Sequence, residues 1–169
     1  MAVRTGIAII GVGNEFRHDD GAGWAVVRTL AERARERPLP PGTRLEVCDG
    51  DPARLIALWE GADLAVVLDA AHAHPGHPGR LHRLAAEGPA LTAARSPEAS
   101  SHGLGLGEAV ELSRALGRLP RRLVVYAVEG ADHSMGTGLS EPVAEAVERL
   151  ALLVEDEITA HRSAEGDAR

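Results

Sequence analysis

Four short runs of branched apolar residues, TGIAIIGV (5–12), TRLEVC (43–48), DLAVVLD (63–69) and RLVVYAV (122–128), recur along the chain with helical patterns between them. Apolar runs of this kind fit strands covered on both faces, and intervening helices return the chain to the same end of a sheet. The reading is therefore α/β: a single three-layer α/β/α domain around a mostly parallel sheet. The first helical pattern covers 20–36, with Trp24, Val27, Leu30, Ala31 and Ala34 at three- and four-residue spacing, and PLPPG (38–42) ends it. Others cover 52–59 and 104–117, the latter with Leu106, Ala109, Val110 and Leu116 inward. Ser140 is placed to N-cap a last helix along which Val143, Val147, Leu150 and Val154 share a face. RLHRLA (80–85) reads as a hairpin or edge strand, and the Gly-, Pro-, Ser- and Ala-rich stretch 86–102 as a long functional loop. The domain is expected over residues 1–161, with a polar, frayed tail at 162–169.

Length and charge narrow the function. A chain of 169 residues buries one ordinary core, and a formal charge of -7 without a basic run disfavours nucleic acid as a partner. All 18 basic residues are Arg, which excludes a P-loop lysine and Schiff-base chemistry. Cys48 is the sole cysteine, so no internal disulfide forms, and it reads as a small core residue beside Asp49 and Asp51 rather than as a nucleophile. No apolar stretch approaches the roughly 20 residues that span a bilayer, and the start lacks a signal-peptide pattern. A cytoplasmic monomer with no membrane partner is the expectation.

In an open parallel sheet the ligand site lies beyond the carboxyl ends of the strands. The loops leaving the first three strands and the loop before the third helix carry Asp19 and Asp20, Asp49 and Asp51, Asp69, and His102. Two carboxylates and an imidazole from separate loops are the inventory of a divalent transition-metal site. Each also has a local reading: Asp19 and Asp20 as helix caps, Asp69 as a turn acceptor, His102 as a loop residue. His72, His74, His77 and His82 suggest a metal store, but the proline spacing of that segment favours a surface turn. Gly11-Val12-Gly13 begins a dinucleotide-binding pattern, yet Phe16 stands at the third glycine and the acidic HDDG that follows would repel a pyrophosphate.

The segments GVGNEFRHDDGAG, VVLDAAHAHPG, SSHGLGLGEAV and GADHSMGTGLSEPV, in this order, resemble the hydrogenase maturation protease family over nearly the whole chain. The resemblance implies a five-stranded twisted sheet flanked by helices. It also implies an endopeptidase that removes the C-terminal extension of a nickel-iron hydrogenase large-subunit precursor once nickel is inserted. The family's metal-contacting positions fall on Asp20, Asp69 and His102, and the nickel belongs to the substrate, with no permanently bound cofactor. Gly11, Gly13, Asn14, Asp19 and Gly21 match the family's opening turn, and Asp49 a supporting acidic position, while Asp51 replaces the second glycine of the usual Asp-Gly-Gly. Two other readings remain: a general metallopeptidase holding its own metal, and a non-catalytic nickel chaperone built on His72, His74, His77 and His82.

Overall fold

The computed structural model describes residues 6–87 and 103–168, with backbone alone over 103–105. Strands β1 (Ile7–Val12), β2 (Thr43–Cys48), β3 (Leu64–Ala71), β4 (Leu81–Glu87) and β5 (Arg122–Glu129) form one sheet in the order β2-β1-β3-β5-β4. The first three and β5 run parallel, and β4 pairs antiparallel with β5 at the edge. The helices are α1 (Ala22–Arg33), α2 (Pro52–Trp59), α3 (Gly103–Leu116) and α4 (Glu141–Asp167), with a 3-10 turn at His18–Gly21 before α1. Among the described residues, no helix is long and apolar enough to cross a membrane.

Two-residue alternation along β1 and β3 divides the core into two layers. Ile7 and Ile9 of β1 and Leu64, Val66 and Leu68 of β3 pack with Val26, Val27 and Leu30 of α1 and with Val147, Leu150, Val154 and Ile158 of α4. Ala8, Ile10, Val12, Ala65 and Val67 face the other way, onto Leu55, Ile56 and Trp59 of α2 and Ala109 of α3. Trp59 is fully buried, and its indole N–H donates to Ser113 Oγ at 3.0 Å. That bond satisfies the one polar atom of the largest side chain in this layer. The exposed pattern of β4 reflects its edge position, and the strand is tied down by charge: Arg83 Nε donates to Glu157 Oε1 of α4 at 2.5 Å, where Tyr126 O–H also donates at 2.8 Å. Burial first, then its bond to Glu157, pushes the Tyr126 hydroxyl up to about 12.

Three local expectations shift. The buried stripe of α1 includes Val26 and leaves Ala31 exposed, because the helix rotation is set at its first turn by Gly23. A Cβ there would collide with the Leu68 carbonyl oxygen and lie 2.8 Å from that of Val12. Leu116, at the last turn of α3, is exposed rather than inward. Helix α4 continues through the polar segment to Asp167 instead of fraying at 162, with Glu165 in reach of His161 and Arg162 one turn back.

The strand order places a topological switch point between β1 and β3: the chain leaves β1 toward β2 on one side and returns to β3 on the other. The connections after β1 and β3 therefore diverge at the carboxyl edge, the place where ligand sites form in such sheets. The fit of α1 over this point depends on Gly23, so Gly23→Ala is expected to lower stability by about 1–3 kcal/mol, read as a reduced urea midpoint with an unchanged slope.

Candidate active site at the sheet switch point

Asp20 and Asp69 reach the carboxyl edge from the two strands that flank the switch point. Asp20, in the 3-10 turn after β1, is 3% exposed, and its Oδ2 accepts the Asn14 amide at 3.1 Å. The same amide lies 3.2 Å from the Asp20 carbonyl, closing a tight loop over residues 14–20. Gly13 makes that closure possible: its φ is 136°, and a Cβ would strike the Asp20 carbonyl oxygen. Asn14 Oδ1 in turn accepts the Phe16 amide at 2.9 Å. Asp69 lies within β3 opposite Ala127 of β5, is 2% exposed, and accepts the Ala70 amide at 2.8 Å.

Asp19 has a different task from its neighbour. It accepts the amides of Ala131, Asp132 and Ser140 at 2.8, 3.0 and 2.7 Å and the Ser140 hydroxyl at 2.8 Å. Ser140 thus stands at the N-cap of α4 as expected, but its hydroxyl serves Asp19 and makes no side-chain cap. Burial works against the Asp19 charge, yet these bonds outweigh it and hold the carboxyl below the ordinary aspartate range. Around this anchor the loop after β1 zips to the loop after β5. The Asp19 amide donates to Asp132 O and the His18 amide to Gly136 O, both at 2.9 Å. The Gly136 amide donates to Phe16 O at 2.8 Å, and Arg17 Nε to His133 O at 3.2 Å.

That zipper brings His133 to Asp20. His72, one residue past β3, stacks on His133 with ring centroids 3.4 Å apart and planes 22° from parallel. One potential ligand atom each from Asp20, His72 and His133 lies within 4.8 Å of the others, and these three form the one such group of His, Cys, Asp or Glu among the described residues. Sequence reasoning singled out Asp20, named His72 only within a surface histidine cluster, and missed His133. The signal was available: His133 lies in the loop after β5, another carboxyl-edge loop of the same sheet.

The other expected positions are dispersed. His102 and the loop around it lie outside the described residues. Asp49 accepts the Asp51 amide at 3.1 Å and Asp51 caps α2 by accepting the Arg54 amide at 3.2 Å, so both stabilise the turn after β2. Gly11 lies beneath the first turn of α1, and Gly21 abuts Glu15. The four histidines do not converge: His74 and His77 are exposed, while His82 Nε2 sits 2.8 Å from buried Glu129. The His77 amide foremost, then His82, keeps the Glu129 carboxyl low against the effect of burial. Cys48 is buried, and that burial foremost raises its thiol pKa, which fits a small core residue rather than a nucleophile.

A model of the hydrogenase maturation protease family matches residues 24–157. The chain belongs to this family. HybD of Thermococcus kodakarensis, a [NiFe] hydrogenase maturation protease, is 25% identical, aligns over 90% of this chain and 99% of its own, and superposes with a TM-score of 0.71. The hydrogenase maturating endopeptidase HybD of E. coli is 27% identical over 94% of this chain and 93% of its own, with a TM-score of 0.69. The HycI maturation protease of T. kodakarensis is 26% identical over 92% and 93%, with a TM-score of 0.64. No curated protein matches by sequence. This maturation protease is thus a peptidase, and its fold is the five-stranded, mostly parallel sheet of its relatives.

Two features of the maturation protease's site lend themselves to measurement. Exposed Phe16 and Met135, at 58% and 73% of their surface, stand on the two loops that the zipper joins. The zipper itself depends on a charged Asp19. Because folding lowers the pKa of Asp19, its contribution is present at neutral pH and is lost as pH falls below about 4. Asp19→Ala should cost about 2–4 kcal/mol at pH 7, and the gap to the unsubstituted protein should narrow when urea unfolding is repeated at pH 3.

Proposed function

We propose that this maturation endopeptidase removes the C-terminal extension of a nickel-iron hydrogenase large-subunit precursor after nickel insertion, contacting the substrate's nickel through Asp20, Asp69 and His102. The observation that carries the reading is the pair of buried carboxylates, Asp20 and Asp69, delivered from β1 and β3 to the two sides of one switch point. Carboxylates so placed suit a borderline divalent ion presented from outside the protein, and a histidine completes a common ligand set.

In this scheme the open coordination of the precursor's nickel serves as the recognition mark, so a nickel-free precursor is ignored. The ion polarises the scissile carbonyl or the attacking water. Water adds to the carbonyl carbon, the C–N bond breaks, and the proton released by the water passes to the departing amine. Asp20 is the carboxylate assigned to this step, as nickel ligand or as the base that carries the proton. The site lies in a protein with a net charge of -7, consistent with attraction of a cationic centre.

Phe16 and Met135 supply the contact surface. An exposed aromatic and a methionine at the rim of a site are costly to leave in water and suit a folded partner. The partner they fit is the precursor itself, seated so that its nickel faces the carboxylates.

Intact mass spectrometry of a nickel-loaded and a nickel-free precursor tests the reading. The expected result is loss of a C-terminal peptide from the loaded precursor alone, abolished by Asp20→Asn, which keeps size and removes charge. Full processing by Asp20→Asn, or equal processing of the nickel-free precursor, overturns it. Phe16→Ser combined with Met135→Ser is expected to raise KM for the loaded precursor about tenfold or more with little change in kcat, because these residues touch the partner and not the reacting atoms.

A further inference from the structure

Asp20, His72 and His133 are brought together by three different loops, and the last two lie outside the set assigned to the substrate's nickel. We propose that these three residues form a site of the protein's own for a free borderline divalent ion, of which Ni2+ and Zn2+ are the test cases. The site uses Asp20 but neither Asp69 nor His102, and it needs no hydrogenase to fill it.

The geometry is that of ligands awaiting a small closure. In a tetrahedral site with metal–nitrogen bonds of about 2.0–2.1 Å, neighbouring ligand atoms lie about 3.3 Å apart. The three atoms here are all within 4.8 Å of one another, and the two imidazole rings are already 3.4 Å apart. Side-chain rotation of His72, in a half-buried segment just past β3, covers the remaining distance.

The other two ligands are held from behind. The Asn14 amide orients the Asp20 carboxylate. On the other side, Arg17 binds the His133 carbonyl, and Asp19 binds the amides of Ala131 and Asp132 immediately before it. Ser134, immediately after it, donates its amide and hydroxyl to Asp132 Oδ1 at 2.9 and 2.6 Å. The ring of His133 packs directly on Gly130, where a Cβ would lie 2.6 Å from its Cε1 and Nε2. Such support raises affinity, because little side-chain freedom is lost on binding.

Ligand type sets the ion. Two imidazoles and one carboxylate suit zinc and nickel, whereas magnesium and calcium prefer oxygen donors. Three protein ligands also leave a coordination position for water.

The test titrates the chelator-treated protein with Co2+ as a spectroscopic probe, then with Ni2+, Zn2+ and Mg2+ in equilibrium dialysis. One Ni2+ or Zn2+ per chain is expected, with intense visible absorption of tetrahedral Co2+ and no binding of Mg2+. His72→Gln and His133→Gln should each weaken binding about tenfold or more, while His74→Gln with His77→Gln should leave it unchanged. The ion should raise the thermal midpoint of the unsubstituted protein and not that of the His72→Gln/His133→Gln double variant, whose ion-free midpoint reports that it still folds. Binding that survives the double variant, or that is lost with His74 and His77, overturns the proposal, as does the absence of binding. None of these readouts involves a precursor, so a failure of the processing scheme would leave them interpretable.

Discussion

The joining of the loops after β1 and β5 at the carboxyl edge depends on one buried carboxylate. Asp19 gathers three amides and a hydroxyl from the segment 131–140 and thereby fastens the loop after β5 to the loop after β1. A charged acceptor is needed because four donors converge on it in a place that water does not reach, and charge-assisted bonds repay the cost of burial. The same contact fixes the start of α4 through Ser140 and the position of His133 through its neighbours. Asp20, its neighbour, accepts the Asn14 amide. Adjacent aspartates thus make different contacts, Asp19 with the loop after β5 and Asp20 with the Asn14 amide.

The sheet order supplies the second constraint. Because β1 lies between β2 and β3, the connections at its carboxyl end part company, and the gap between them can only be filled by loops or by a partner. Gly23 lets α1 sit flush on β1 and β3, so the 3-10 turn bearing both aspartates overhangs that gap. Phe16 and Met135 stand exposed on the loops after β1 and β5 that border this edge.

Much of this was legible in the chain. The β-branched runs and intervening helical stripes specify a parallel, doubly covered sheet, since the pattern has no other way to bury itself. The strand-end rule drew attention to Asp19, Asp20 and Asp69, and the motifs GVGNEFRHDDGAG and VVLDAAHAHPG carried the family resemblance. Less legible was rotation about an element's own axis. The exposure of Ala31 follows from a backbone contact at Gly23, and Leu116 is exposed at the last residue of α3; neither is encoded in spacing. The polar end of α4 stayed helical because i,i+4 pairing and continuity with a packed helix outweigh local composition.

The histidines mark the division most clearly. Sequence alone determined that imidazoles would be plentiful after β3 and that carboxylates would lie in the loop after β1 and near the carboxyl end of β3, because both are matters of residue type and periodicity. Only the tertiary structure decided that His72 would meet His133, 61 positions away, while His82 turned to Glu129 and His74 and His77 stayed in solvent. The physical reason is that which side chains meet depends on how the strands and the loops leaving them are bonded to each other: β3 and β5 lie side by side, and the Gly130 amide donates to the Ala71 carbonyl at 3.1 Å where the two loops begin.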